Sequence, residues 1–97
     1  MNMQAMLRQA QQMQKDMLKA KDEVESKTFT STQSFVTVEM KGSKEVTSVV
    51  INSDKLDKED IEILQDLICL AVNENIKKID KEMESKLGKF GGAAGLF

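Results

Sequence analysis

A seven-residue repeat of apolar side chains opens the chain and limits its fold more than any other feature. The repeat places Met3, Ala10, Met17 and Val24 seven residues apart, with Met6, Met13 and Ala20 three residues after the first three. This spacing, with no Gly or Pro inside it, predicts an amphipathic helix from residue 3 to about residue 25. At about 1.5 Å per residue the helix is roughly 35 Å long, so we expect part of it to project from so small a domain.

After Ser26 the apolar period changes from that of a helix to that of a strand. Short segments rich in β-branched residues follow at 27–32, 35–40 and 45–51, and the second alternates apolar with polar side chains. The turn at 41–44 contains Gly42, which we expect to take a positive φ. Three short strands need a covering layer to be stable. The pattern therefore predicts a small antiparallel sheet covered by helices.

A second long helix follows, with Asp57 as its predicted N-cap and Asp60 in its first turn. We expect it to end near Leu87, with Gly88 in the C′ position. Its first half, 61–72, is apolar on more than one side and is predicted to be buried on several sides, with Cys69 as a small core hydrophobe. Its second half carries a single stripe, which predicts pairing with the first helix: Ile76, Ile79, Met83 and Leu87.

The fold class is therefore α+β, an α-β-β-β-α protomer in which two long helices flank a small antiparallel sheet. Residues 1–88 are predicted to form a single domain, and residues 89–97 a flexible Gly/Ala-rich tail. A chain of 97 residues has a thin core of its own. Its size therefore favours assembly with a second copy.

Composition argues against an enzyme. The chain has no His and a single Cys, which removes the commonest general base and any Cys–His nucleophilic pair. Glycine motifs that bind phosphates or dinucleotides are missing, so no cofactor and no metal are predicted. No apolar run approaches the roughly 20 residues of a membrane span. The lone Cys and the polar N-terminus favour a cytoplasmic location.

Charge is distributed unevenly along the chain. The net charge of −2 argues against a strongly basic nucleic-acid-binding domain. Residues 1–15 nevertheless hold Arg8 and Lys15 and no acid, and five lysines follow residue 76. Any nucleic-acid site is therefore expected at these two mildly basic ends, away from the acidic stretch 57–76.

Three blocks of the sequence, in order, resemble the YbaB/EbfC family of nucleoid-associated proteins. They are Met6–Gln14, then Val36–Gly42 with Glu45–Ile51, and Asp60–Ile68 running into Ala71–Glu74. The resemblance implies a tweezer-like homodimer whose long helices project as arms. It also implies binding of double-stranded DNA with weak sequence preference, altered DNA conformation, a link to gene regulation, and a place in the nucleoid.

If the two long helices run antiparallel, the basic stretches meet at the tips of these arms. Lysine and arginine would then contact phosphates, and glutamine amides would reach phosphate or base edges. The predicted DNA-binding residues are Gln4, Arg8, Gln11, Gln12, Lys15, Lys77, Lys78, Lys81, Lys86 and Lys89. The alternative function is a protein–protein adaptor or clamp that uses the Met-rich arms, which the acidic net charge favours. Protein partners in DNA metabolism and the DNA sequence preference stay open.

Overall fold

The first helix, α1, spans Met3–Ser26 in the computed structural model, which describes residues 2–54 and 56–90. Asn2 caps it, since the Ala5 amide donates a hydrogen bond to Asn2 Oδ1 at 2.8 Å. The helix ends where Lys27 turns to an extended conformation. The predicted helix is confirmed, and Asn2 is a cap that the repeat did not point out.

Three strands follow: β1 at Thr28–Gln33, β2 at Val36–Lys41 and β3 at Val46–Ile51. They form one antiparallel sheet in the order β1-β2-β3. The register places Ser31 opposite Val38, and Val38 opposite Val49, with an irregularity between Glu39 and Met40. The predicted strands are confirmed to within one residue at each end.

The turn between β2 and β3 corrects the role expected of Gly42. The residue with the left-handed conformation is Lys44, at φ 71°. Gly42 is needed for a different reason, because a Cβ there would lie 1.8 Å from the carbonyl oxygen of Val24. The turn is also hydrogen-bonded to the end of α1, since the Ser43 amide donates to Glu25 O at 3.2 Å. The glycine therefore allows close packing between two backbones.

The second helix, α2, spans Lys58–Leu87. Its start is confirmed, since the Asp57 amide donates to Asp60 Oδ2 at 2.9 Å. Its end differs from the expected left-handed C′ glycine. Gly88 has φ −57°, in the right-handed region, and residues 88–90 continue as a 3₁₀ turn. Residues 91–97, most of the predicted tail, lie outside the described residues.

The core lies between α2 and the first two strands. Its buried members come from all the elements except β3: Val24, Phe29, Val36, Val38, Met40, Ala71 and Ile79. Asn75 is also fully buried, and its Nδ2 donates to Val38 O at 2.9 Å. This bond ties the middle of α2 to the centre of the sheet.

The first half of α2 is less buried than its composition predicts. Leu64, Leu67 and Ile68 pack against the core, but Ile61, Ile63 and Leu70 are exposed. Cys69 is exposed as well, so the expectation that it is a core residue is wrong for the single chain. The reason is geometric, because a single small sheet covers one side of this half.

The two long helices run antiparallel. Leu87 is buried, and Lys89, two residues further on, lines a shallow cavity together with Asp16 and Ala20 of α1. Lys27 Nζ lies 2.6 Å from Glu82 Oε1, which fixes the other end of the pair. The predicted pairing stripe is confirmed. The chain is a rod with extents of 71 × 18 × 13 Å.

Candidate nucleic-acid interface

The helix pairing divides α1 into two parts. Its inner half, residues 17–26, contains both buried residues of the helix, Ala20 and Val24. Its outer half, residues 3–16, is exposed except for the half-buried Ala5. Lys89, two residues after the end of α2, lies beside Asp16 and Ala20, so roughly 20 Å of α1 extends past this point.

The five α1 residues predicted to bind DNA share one side of this outer half. A helix turns by about 100° per residue, so the five fall within an arc of about 100°. We call this arc the polar face of α1: Gln4, Arg8, Gln11, Gln12 and Lys15. All five side chains are exposed. The repeat of apolar residues lies on the opposite side, so the polar face points away from α2.

The electrostatics of the polar face are local. Between residues 2 and 15 the charged side chains are Arg8 and Lys15, with no acid. The first acid is Asp16, whose Oδ1 accepts a hydrogen bond from Gln12 Nε2 at 3.0 Å. The positive end of the helix dipole also lies at this tip. The outer half can therefore attract an anion although the chain as a whole is acidic.

Lys19 is a residue that charge counting along the sequence missed. It is exposed and lies one turn after Lys15, within the same arc. Helical spacing from Arg8 and Lys15 would have identified it, since the three residues lie at i, i+7 and i+11. One turn further along the same arc, the next charged side chain is the acid Asp22. The basic stripe on α1 therefore runs from Arg8 to Lys19.

The lysines of α2 do not form one group with the polar face. Lys77 and Lys81 are exposed on the side of α2 opposite the buried Asn75 and Ile79, so they do not extend it. Lys78 is engaged elsewhere, since its Nζ donates to Thr30 O at 2.7 Å. All three lie at the base of the arm, Lys78 against the sheet and Lys77 and Lys81 on the side of α2 that faces away from it.

Lys86 and Lys89 lie closer to α1. Lys86 is exposed in the last turn of α2, and Lys89 Nζ sits 5.2 Å from the centroid of the Phe90 ring. Lys89 also lines the shallow cavity with Lys19 and Glu23 of α1. The structure therefore brings Lys89 beside Lys19. Arg8 lies further out along α1, about 16 Å from Lys19 by helical rise.

Other kinds of site have no support in the part of the chain that the structure describes. Across residues 2–54 and 56–90, no three His, Cys, Asp or Glu side chains group so as to hold a metal ion. None of the described helices is both long and apolar enough to cross a membrane.

Comparison with known proteins gives a consistent result. A nucleoid-associated protein of Lactococcus lactis subsp. cremoris strain MG1363 is 47% identical over 92 residues, covering 93% of this chain and 93% of that protein. A nucleoid-associated protein of Enterococcus faecalis strain V583 is 42% identical, covering 92% of this chain and 88% of that protein.

The fold also matches a solved structure. The crystal structure of the uncharacterized protein HP0035 from Helicobacter pylori aligns with a TM-score of 0.76, covering 95% of this chain and 99% of that one. At 20% identity this similarity supports the fold alone. It agrees with the α-β-β-β-α order.

The sequence pattern of the YbaB/EbfC DNA-binding family matches residues 1–94. This is a family of DNA-binding, nucleoid-associated proteins and not of enzymes, which confirms the expectation drawn from composition. On this match and on the identity to its relatives, the chain belongs to the YbaB/EbfC DNA-binding family.

Proposed function

We propose that this protein acts at the nucleoid as a homodimer that binds double-stranded DNA with weak sequence preference. The observation that carries the proposal is the polar face of α1. It combines Arg8 and Lys15 with three exposed glutamines on a helix that extends past its neighbour. Cations neutralise phosphates, and glutamine amides donate to phosphate oxygens or base edges.

Weak preference follows from the kinds of contact available. Phosphate contacts carry no sequence information, and two cations with flexible glutamines offer little fixed base recognition. Affinity is therefore expected in the non-specific range, with Kd about 10⁻⁴–10⁻⁶ M at physiological salt. Salt screens the interaction of exposed charges that lie more than about 8 Å apart at physiological ionic strength. The acids in the first half of α2 therefore repel DNA only weakly at the polar face.

The dimer is supported by an apolar surface that a single chain leaves bare. Val49 pairs with Val38 and Ile51 with Val36, so their side chains share the face of the sheet that α2 covers over β1 and β2. On β3 they remain exposed, together with Val46. Ile63 and Leu70 of α2 are exposed as well. An apolar surface on this scale is typical of a protein interface.

We infer that a second copy covers β3 and the first half of α2. This also protects the free edge of β3, whose unpaired backbone groups would otherwise invite aggregation. A dimer of this kind presents two polar faces on separate arms. When one duplex contacts both, it must follow the shape of the dimer, which is how binding alters DNA conformation and affects gene expression.

The DNA site is tested by mobility shift of a random duplex across a salt series. Arg8→Gln with Lys15→Gln should weaken binding at least about tenfold and lower the salt slope by roughly 0.9 per lost phosphate contact. The matched control is Lys41→Gln with Lys44→Gln, which makes the same change in net charge at the β2–β3 turn. An equal loss of DNA affinity in both double variants would mean that net charge, and not the polar face, determines binding.

The lysines of α2 need a separate variant. Lys77→Gln with Lys81→Gln removes the two cations at the base of the arm that face away from the sheet. A smaller loss than that of the α1 pair is expected, since these lysines do not extend the polar face. A larger loss would move the DNA site to α2. If no duplex shifts even at low salt, DNA binding is rejected and the adaptor alternative takes its place.

The dimer is tested by sedimentation velocity. Val49→Lys with Ile51→Lys should give monomers, because it places charges on the face assigned to the second copy. Val50→Lys is the matched control, since Val50 pairs with Thr37 and points to the other face of the sheet. A dimer that survives the first variant but not the control would place the interface on the opposite face.

A further inference from the structure

The apolar side of the outer half of α1 lacks a partner in the part of the chain that the structure describes. Met3, Met6 and Met13 are 72%, 55% and 44% exposed. In the inner half, α2 covers the same repeat at Ala20 and Val24. We call the bare stretch the outer seam: Met3, Met6, Ala10 and Met13. Methionine suits such a surface because its flexible side chain adapts to a packing partner.

Between Met3 and Met13, the residues that flank the outer seam carry no charge: Leu7, Gln9 and Gln14. The acid Asp16 follows at its inner end, while Arg8 and Lys15 lie on the opposite side of the helix. An acidic or basic partner would therefore find no complementary charge along the seam. An identical surface would meet it without repulsion between like charges. The charge pattern favours a second copy of the same helix.

The direction of pairing follows from α2. That helix lies antiparallel on the inner half, and Lys89, just after its end, lies beside Asp16 and Ala20. An antiparallel α1 from a second copy would continue along the seam from that point. Its N-terminus would then approach the C-terminal end of α2, where the two helix dipoles are complementary. The overlap is about two heptads, which is too short for a stable pair in isolation.

We propose that the outer seam binds the outer seam of a second copy, antiparallel, and so links one dimer to another. This rests on the proposed dimer through β3 and α2. An antiparallel pair has its two-fold axis at the centre of the seam, whereas the proposed dimer has its axis at the first half of α2. By helical rise, the tip of α1 lies roughly 50 Å from that half. The second arm therefore belongs to a different dimer. The polar faces remain on the outside of the pair.

The consequence is an open assembly. Each dimer has two arms, and each arm makes a two-fold symmetric contact with another dimer, so more than two dimers can join in a row. A single contact is weak, but dimers held on one DNA raise each other's local concentration. The protein would therefore bridge separate DNA segments through paired arms, and the DNA would promote the pairing.

The first test is cysteine cross-linking in a Cys69→Ser background. Met3→Cys with Met13→Cys puts two thiols on the seam, because an antiparallel pair that overlaps along the seam places Met13 of one copy opposite Met3 of the other. Gln4→Cys with Lys15→Cys is the control on the opposite side of the helix. After mild oxidation without DNA at high protein concentration, sedimentation velocity should show species of four or more chains for the seam variant. At least a fivefold smaller fraction is expected for the control.

Other occupants of the seam give different results. If the seam variant reacts slowly with a small thiol reagent and forms no species larger than a dimer, the seam is covered within one dimer, and the proposal is overturned. Equal cross-linking of the two variants overturns it as well, because random collision would explain both. Cross-linking without any DNA binding would leave this proposal standing and reject the proposed function alone.

The second test separates pairing from DNA contact. Met6→Gln with Met13→Gln keeps the charge and the helix but removes most of the apolar seam. Its affinity for a short duplex that holds one dimer should change less than twofold. Assembly on a long duplex, measured by light scattering, should need at least about tenfold more protein. Leu18→Gln is the control, since it removes an exposed apolar residue outside the seam. Unchanged assembly by the double variant, with helicity intact by circular dichroism, overturns the proposal.

Discussion

The two halves of α1 carry the same apolar repeat in different surroundings. In the inner half, Ala20 and Val24 are buried against α2 and the sheet. In the outer half, Met3 and Met6 are exposed. A heptad pattern therefore determines which side of a helix is apolar, while the neighbouring elements determine how much of that side is covered.

The backbone shows the same contrast. The end of α1 is held by the β2–β3 turn, where the amides of Gly42 and Ser43 donate to the carbonyls of Lys27 and Glu25. At the start of α1, the cap comes from a neighbouring residue, Asn2. The inner half is therefore part of the cooperative fold. The outer half depends on local helix stability and on what it binds.

The largest effect is expected where α2 meets the inner half and the sheet. Ile79 is fully buried in the core, so Ile79→Ala should lower the free energy of unfolding by about 3–4 kcal/mol. Leu7→Ala, on the exposed outer half, should cost less than about 0.5 kcal/mol. Urea denaturation at one fixed protein concentration measures both. Similar losses would mean that the outer half is buried in the folded protein.

The next effect concerns the contact between the turn and the inner half. Gly42→Ala places a Cβ against the Val24 carbonyl and should cost about 2–3 kcal/mol. Gly88→Ala is the matched control, since a Cβ there meets nothing within 4 Å and φ is −57°. It should be neutral or stabilise by up to about 1 kcal/mol. Thermal unfolding measures the midpoint of both variants. A higher midpoint for Gly42→Ala than for Gly88→Ala would contradict this prediction.

A smaller effect is expected from the ion pair that fixes the end of α1 to α2. Lys27 Nζ lies 2.6 Å from Glu82 Oε1, and the side chain of Glu82 is 25% exposed. Lys27→Gln should cost about 1 kcal/mol, less at high salt. Lys44→Gln breaks a pair with Asp80 in which both side chains are at least half exposed, and should cost less than about 0.5 kcal/mol. Chemical denaturation at low and high salt compares them. A larger loss of stability for Lys44→Gln than for Lys27→Gln would contradict this prediction.

The smallest change in global stability is expected from loss of the helix cap. Asn2→Ala removes the bond to the Ala5 amide, worth about 1 kcal/mol to the first turns of α1. Because the outer half adds little to the core, this should appear as faster amide hydrogen exchange at residues 3–13 with almost no change in the unfolding midpoint. Gln4→Ala is the control. A shift of the midpoint by Asn2→Ala alone would mean that both halves unfold together.

Much of the fold could be predicted because its signals are local. The a/d spacing gave α1, the alternation around Val36–Met40 gave β2, and Asp57 with Asp60 gave the start of α2. The resemblance to a DNA-binding family is confirmed by the match across residues 1–94. The polar face of α1 is also local in origin, although helical spacing, and not charge counting, was needed to add Lys19.

What the sequence missed depends on residues far apart in the chain. Gly42 was expected to provide a left-handed turn, but it is needed because the turn packs on Val24. Lys78 was grouped with the other cations, but it is bonded to a carbonyl of β1. Cys69 sits in an apolar run and is exposed, since the sheet is too small to cover that side of α2.

By itself, the sequence determined the elements of this protein, their order and the two faces of α1, because helical and strand periods act over a few residues. Only the tertiary structure decided that α2 covers the inner half, that Lys89 just after it lies beside Asp16, and that β3 keeps a bare apolar face. Those outcomes depend on helix lengths and packing directions measured against one another, which no local pattern contains.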